Sequence, residues 1–313
     1  MITINTAENA LKNIYLESVI EDINNKTNPF LTMIGKNTKT IAEKDIIVPI
    51  RYGNEGSVAA GPEDGPLPTS TEKIAEINVP LKNIFGSFQI TDKAIKAAQN
   101  SPGAFASLIG GEMKNLVATA QANLNRMVYG NGTGHDMNGI DSIFDDTHLY
   151  NLSKDAYPEI LPLSLAHPDE HIITEEYIEE FLYFLEEHAK TMATDIILVH
   201  PTILKALFGA MKDRRMIMST AELEGGFRGF TFNGIPMYGD IRCAKGTVYA
   251  LNTESWAMYQ LVDWTWLEGD DGSILRPVAG RPVFSATLVK YADLICERPF
   301  LQGRFNGFSD QWR

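Results

Sequence analysis

The chain has 313 residues, 44% of them hydrophobic and 21% charged, which is the make-up of a folded globular protein with room for one large domain or two ordinary ones. Its formal net charge of −13 opposes any role that depends on gripping phosphates, because such binding draws on clustered Lys and Arg. No uncharged apolar run of about 18 residues occurs, and MITINTAENALKNIY lacks the basic start and apolar stretch of a signal peptide, so neither secretion nor membrane insertion is expected. Cys243 and Cys296 stand far apart and outside any paired motif; buried thiols in a reducing cytoplasm are the expectation.

In chain order, Ala7 to Ile23 sets Leu11, Ile14, Tyr15 and Val19 near one helical face. The following NNKTNPFLTMIGKNTKTIAEKD is too polar to build a core and reads as an arm leading to the first strand. From Asp45 the apolar residues alternate, with Ile46, Val48 and Ile50 going out and Ile77, Val79 and Leu81 returning, as in the two strands of a hairpin. Between them Gly53, Gly56, Gly61, Pro62, Gly65, Pro66 and Pro68 bar both helix and ladder. A tight turn needs only ~2 to 5 residues, and this connection is several times longer. Such a hairpin is expected to project beyond the body, with an apolar face that has no partner in its own subunit.

SPGAFASLIGGEMKNLVATAQANLNRMVYG carries the strongest helical pattern, with Leu108, Ile109, Met113, Leu116, Val117, Ala120, Leu124, Met127 and Val128 in one stripe. Ser101 is placed to cap it, Pro102 to open it and Gly130 to end it, which predicts a rod of ~40 Å over 103–129. Beyond Gly134 the pattern is mixed. Thr174 is placed to cap a helix running to Lys190, with Ile178, Phe181, Leu182 and Leu185 inward; DIILV is a buried strand, and Pro201 opens a second helix. FNGIPMYGD and GTVYALNT read as short strands, and WAMYQLVDWTWLE and FSATLVKYADLICE as long ones. The fold class expected is α+β.

Motifs for chemistry are scarce. GNGTG, Gly130 to Gly134, follows a helix rather than a strand and lacks the GK[ST] ending, so a helix cap and turn is expected there, not a phosphate loop. HPDEH, His167 to His171, gathers two imidazoles and two carboxylates, but Pro168 favours an extended or turning chain, and a polar loop is the simpler reading. Glu179 with Glu180 and Glu186 with Glu187 fall at helix-surface spacing, and the basic run at 212–215 reads as a solvated helix end. No catalytic residue, cofactor or metal ligand is expected.

The order of features nevertheless resembles a family. The hairpin with its Gly/Pro-rich tip, the long helix running into YGNGTGHDMNGI, DIILVHPTILKAL with FNGIPMYGD, and the terminal VFSATLVKYADLICERP together resemble the major capsid proteins of tailed bacteriophages, the Hong Kong 97-like fold. The resemblance implies an N-terminal arm over 1–45, an extended loop over 46–90, a peripheral domain of 91–134 and 255–313 built on a spine helix, and an axial domain over 135–254. It implies a structural protein of the virion, not an enzyme, that assembles with itself in the host cytoplasm into hexamers and pentamers around double-stranded DNA. A separate scaffolding protein and a portal are the further expected partners, with no membrane. In this family the extended loop lies over the neighbouring subunit, which makes Arg51, Glu63, Asp64 and Lys73 candidate intersubunit contacts. Some relatives weld subunits by a Lys to Asn bond; Lys44, Lys73 and Lys82 do not match that position, and no cross-link is expected. An encapsulin-type nanocompartment shell is the alternative within the same fold, and a metallohydrolase using His167 and His171 a remote one outside it.

Overall fold

The computed structural model describes residues 28–34, 37–55, 60, 65, 71–98, 101–145, 147–210, 220–222 and 228–309. The amphipathic stretch at 7–23, the basic run at 212–215 and the loop residues Glu63 and Asp64 lie outside the described residues, as do the side chains of Arg51 and Lys73.

The polar segment read as an arm is tied down from Asn28 onward. Helix α1 (Pro29–Ile34) is capped by Asn28, whose side-chain oxygen accepts from the Phe30 backbone N–H at 2.7 Å. Phe30 is fully buried and meets Trp256 edge-on, with ring centroids 5.4 Å apart. Strand β1 (Thr38–Thr40) then runs parallel to Met258–Gln260. Four apolar residues, Phe30, Leu31, Met33 and Ile34, suffice to dock a segment whose average composition is polar.

Strands β2 (Asp45–Glu55) and β3 (Thr71–Pro80) form an antiparallel ribbon in which Ile46 faces Val79 and Val48 faces Ile77. The next strand, β4 (Asn83–Thr91), leaves the ribbon and pairs with residues 283–291. Helix α2 (Asp92–Ala98) leads to the long helix α3 (Pro102–Val128), whose cap is as expected: Ser101 Oγ accepts from Ala104 N, and Tyr129 closes the far end. Ile109, Met113, Leu116, Leu124, Met127 and Val128 bury its stripe.

A 3-10 turn (Ile140–Phe144) and the two-stranded turn of β5 (His148–Leu149) and β6 (Leu152–Ser153) precede β7 (Leu163–His171). Then come α4 (Glu175–Ala189), β8 (Ile196–Val199), α5 (Pro201–Ala210), β9 (Thr220–Glu222), β10 (Arg228–Phe232), β11 (Ile235–Gly239) and β12 (Val248–Leu251). Thr174 holds the cap position of α4 in extended conformation, but its hydroxyl makes no cap bond. The chain ends in β13 (Trp256–Trp266), β14 (Arg276–Pro277), β15 (Val283–Cys296) and β16 (Gly303–Phe308).

Among the described residues the strands make two large sheets. In one, β1, β13 and β15 lie side by side, with β14 and β4 also on β15. The other has the order β7-β16-β12-β8-β11-β10-β9. This second sheet divides two apolar cores. Ile196 and Leu198 of β8 and Tyr249 and Leu251 of β12 face the larger core, which contains α3 and the five-stranded sheet. Ile197 and Val199, with Val248 and Ala250, face the smaller core under α4 and α5. Period-two alternation in short all-apolar strands thus serves both sides.

Candidate assembly surfaces

The ribbon has two unlike faces because its side chains alternate. Ile46, Val48, Ile50, Ala75, Ile77 and Val79 are buried in the subunit's larger core. This corrects the expectation that the ribbon's apolar face would lack a partner in its own subunit. Residues beyond the GNGTG turn contribute to the same core, with Leu149, Leu152 and Ile160 buried in it. Asn151, at the tip of the β5–β6 turn, accepts from Asn78 N at 2.9 Å and donates to Glu76 O at 3.3 Å, so one amide satisfies two backbone groups on the outer edge of β3. The opposite face keeps Ile47 49% exposed and Ile74 51% exposed.

A second uncovered apolar surface lies between β4 and α3. There a groove of about 450 Å³ is lined by Ile84, Phe85, Leu116, Leu124 and Met127, with Trp264 as part of its wall. Phe85 is 61% exposed. Trp264 is buried, yet its indole N–H finds no partner among the described residues. Beside it Lys290, also buried, pairs with Asp263 at 2.8 Å and lies 5.9 Å from the Trp264 ring centre. Only the ammonium is buried: Asp263 keeps 39% of its side chain exposed, so the pair lies at the surface end of the Lys290 side chain.

Where α3 ends, the turn expected from GNGTG is present, with Gly132 and Gly134 at φ of 71° and 67°. Gly139 is required there by contact alone, since a Cβ would come within 2.2 Å of Met127 O. Arg126 grips Asp136 through two hydrogen bonds of 2.7 and 3.0 Å, which draws the Asp136 carboxyl below its ordinary value. Deeper in the same turn, Asn138 donates from its backbone N (2.7 Å) and Nδ2 (2.6 Å) to Asp293, which is fully buried on β15. Burial pushes the Asp293 carboxyl up to about 7, against the pull of these donors. Asp141, which accepts from Tyr249 Oη and faces Arg304, is also raised by burial, as is Asp240, which accepts from Asn28 Nδ2.

The residues singled out for chemistry are dispersed. HPDEH is not a loop but the end of β7, where the pairing with β16 skips between Asn306 and Phe308. The His167 and His171 rings stand edge to face, 4.5 Å apart, and Tyr177 packs on His167. Among the described residues no group of three or more His, Cys, Asp or Glu is arranged to hold a metal ion. Glu179, Glu180 and Glu187 are exposed on α4, and both cysteines are buried and unpaired. Of the candidate intersubunit contacts, only the backbones of Arg51 and Lys73 are placed, in β2 and β3 opposite Ile74 and Gly53.

No family model and no curated protein matches the chain. Solved structures do. The "Cyanophage A-1(L) capsid asymmetric unit" aligns over 90% of this chain and 92% of its own, with a TM-score of 0.68 at 15% identity. The encapsulin SrpI of Synechococcus elongatus PCC 7942 aligns over 92% and 90%, with a TM-score of 0.56 at 12% identity. A virus-like particle protein of Pyrococcus furiosus aligns over 94% and 100%, with a TM-score of 0.53 at 10% identity. The fold is therefore the Hong Kong 97-like fold of phage capsid proteins, α+β in class, over nearly the whole chain.

Proposed function

We propose that this chain is the major capsid protein of a tailed bacteriophage, a structural rather than catalytic protein that assembles with itself into hexamers and pentamers of an icosahedral head around double-stranded DNA. One observation carries the reading: the end-to-end alignment with a cyanophage capsid subunit at a TM-score of 0.68. The uncovered Ile47, Ile74 and Phe85 support it, since apolar surface beside a groove is what a repeating contact between copies would cover. The charge of −13 is consistent with a wall that does not hold the packaged DNA.

In this reading the arm (1–45), the extended loop (46–90), the peripheral domain (91–134 with 255–313) and the axial domain (135–254) divide the work of contact and closure. Arg51, Glu63, Asp64 and Lys73 meet charges of an adjacent subunit, where they set register more than affinity. A separate scaffolding protein guides curvature in the host cytoplasm, and a portal occupies one vertex of the virion. Electron microscopy of the purified chain, alone and with a co-expressed scaffolding protein, should show closed shells. A protein that stays monomeric under both conditions would sink the proposal. Shells that carry an enzyme cargo and no DNA would favour the encapsulin-type alternative. Reversing Glu63 and Asp64 to Lys should impair assembly while leaving the subunit folded; normal particles from that variant would remove these two residues from the contact.

A further inference from the structure

Strand β4 closes one side of the five-stranded sheet, and its outer edge is unguarded. Ala292 N donates to Lys82 O at 3.1 Å just before β4, and Asp92 N donates to Pro282 O at 3.0 Å just after it, so the even-numbered backbone groups between them face β15. Those of Phe85, Ser87 and Gln89 point the other way, where no described strand pairs with them. Edge strands are ordinarily blunted by a charge, a proline or a bulge. NIFGSFQIT has no charged residue and no proline, and its register with β15 is unbroken over all nine residues.

The groove beside this edge has the form of a slot for one more strand. Its lining takes Asn83 to Phe88 without a gap. A hollow on one face of a sheet is lined by alternate residues, because side chains alternate; consecutive residues mark a hollow along an edge. The facing wall is α3 from Glu112 to Met127, ~22 Å of helix, with Leu116, Ala120 and Met127 apolar and Asn115, Thr119 and Asn123 polar. Gly86, where a Cβ would come within 2.9 Å of Leu116 Cδ1, shows that the even positions of β4 look onto α3. Phe85 therefore looks away from it and stays available to a second copy.

We propose that residues 1–6 of the same chain, MITINT, add to the outer edge of β4 as a further strand, with Ile2 and Ile4 turned onto α3 and Thr3 and Asn5 turned outward.

Pattern, length and tether select this occupant. Ile2, Thr3, Ile4 and Thr6 are β-branched, and the two isoleucines alternate with polar residues, as a strand with one apolar wall requires. Six extended residues span ~17–20 Å, the length of β4 that lines the slot. The described chain begins at Asn28, whose Nδ2 donates to Asn125 Oδ1 on α3 at 2.8 Å. Asn125 lies about 200° around α3 from Asn123 at the slot's rim, so the chain before Asn28 has to pass one helix diameter of ~10–12 Å. The helix expected over 7–23 supplies ~25 Å, and residues 24–27 up to ~14 Å more. Such a tether holds residues 1–6 at an effective concentration on the order of millimolar beside their own slot, which favours them over the same residues of a second copy. Neither MITINT nor β4 carries a charged side chain, so the net charge of −13 does not oppose their contact.

The test is hydrogen exchange in the purified full chain as dispersed subunits, so its outcome is separate from whether shells form. The outward amides of Phe85 and Ser87 should be protected by at least about tenfold over their unstructured rates. Ile2→Asp combined with Ile4→Asp should abolish that protection and leave the β15-bonded amides of Gly86 and Phe88 unchanged. Ser87→Pro, which removes an outward N–H and spares the β15 ladder, should expose Phe85 and speed exchange at residues 3–5. Unprotected Phe85 and Ser87 in the wild-type chain would overturn the proposal, as would protection that survives the change at Ile2 and Ile4. Protection that falls on dilution would assign the edge to a second copy and overturn it equally. If Ser87→Pro also exposes Gly86 and Phe88, β4 has been lost, and the variant at Ile2 and Ile4 decides.

Discussion

The seven-stranded sheet and the two-stranded ribbon use the same alternation of side chains to opposite ends. In β8 and β12 every residue is buried, because one set of alternate positions fills the larger core and the other fills the smaller. In the ribbon one set fills a core while Ile47 and Ile74 of the other set stand half in solvent. The sheet satisfies itself within one chain. The ribbon keeps a face in reserve, and the Phe85 groove beside α3 does the same. If this division is real, substitutions in the first kind of region should unfold the subunit and those in the second should spare it.

The largest effect is expected at Trp256, where the five-stranded sheet meets α1 in the larger core. It is fully buried, edge-on to Phe30, with its indole N–H donating to Gln302 Oε1 at 3.1 Å. Trp256→Ala should cost ~3–5 kcal/mol, the usual range for removing a buried large aromatic. Urea unfolding of the dispersed subunit would measure it, and a loss below about 1 kcal/mol would mean that α1 and the five-stranded sheet are not one packed unit.

Next is pH. A carboxyl held at about 7 in the folded chain and at an ordinary ~4 when unfolded binds its proton more tightly when folded. Its contribution is thus full below pH ~4 and is lost as pH rises through about 7, at most ~4 kcal/mol. Carboxyls drawn below their ordinary values, such as Asp136 and Asp145, work the opposite way and lose their contribution on acidification. The informative quantity is therefore the difference between wild type and Asp293→Asn. That difference should shift in favour of the variant as pH rises from about 4 to about 7, and a pH-independent difference would show that Asp293 is ionised throughout.

Much of this body is legible in the chain itself. The stripe from Leu108 to Val128 and the cap at Ser101 are local signals, and α3 forms where they fall. WAMYQLVDWTWLE and FSATLVKYADLICE carry strand patterns long enough to read alone, and they pair with each other. The failures are non-local. PFLTMI looks like part of a polar arm until Trp256 is brought beneath Phe30, and a single Asn in a Tyr-Asn turn gives no sign that it will dock on β3. HPDEH reads as a loop because its Pro and carboxylates suit one, yet parallel pairing with β16 draws it into a strand end. Asp293 shows nothing in sequence beyond one acid in an apolar strand, YADLIC, and only its zero exposure distinguishes it.

The ribbon's attachment gives a smaller effect. Asn151→Ala removes the two hydrogen bonds to Glu76 and Asn78 at an exposed edge, and should cost ~1 kcal/mol. The loss should appear as faster hydrogen exchange in β3 with little change in α4 or β8. Equal loosening of both regions would mean that the ribbon is an integral part of the body and not an appendage docked on it.

The smallest effect on the subunit, and the sharpest contrast, belongs to the reserved faces. Ile74→Ser and Phe85→Ser alter side chains 51% and 61% exposed, so the folded subunit should change by no more than ~0.5 kcal/mol. If those side chains are what a second copy covers, each change withdraws apolar area from a contact repeated around every ring, and a small loss per contact multiplies over the assembled shell. Melting temperature should stay level while the protein concentration needed for shells rises, by light scattering, well above that of wild type. Unaltered assembly in the double variant would show that both faces look to solvent, and that the contacts between copies are made elsewhere.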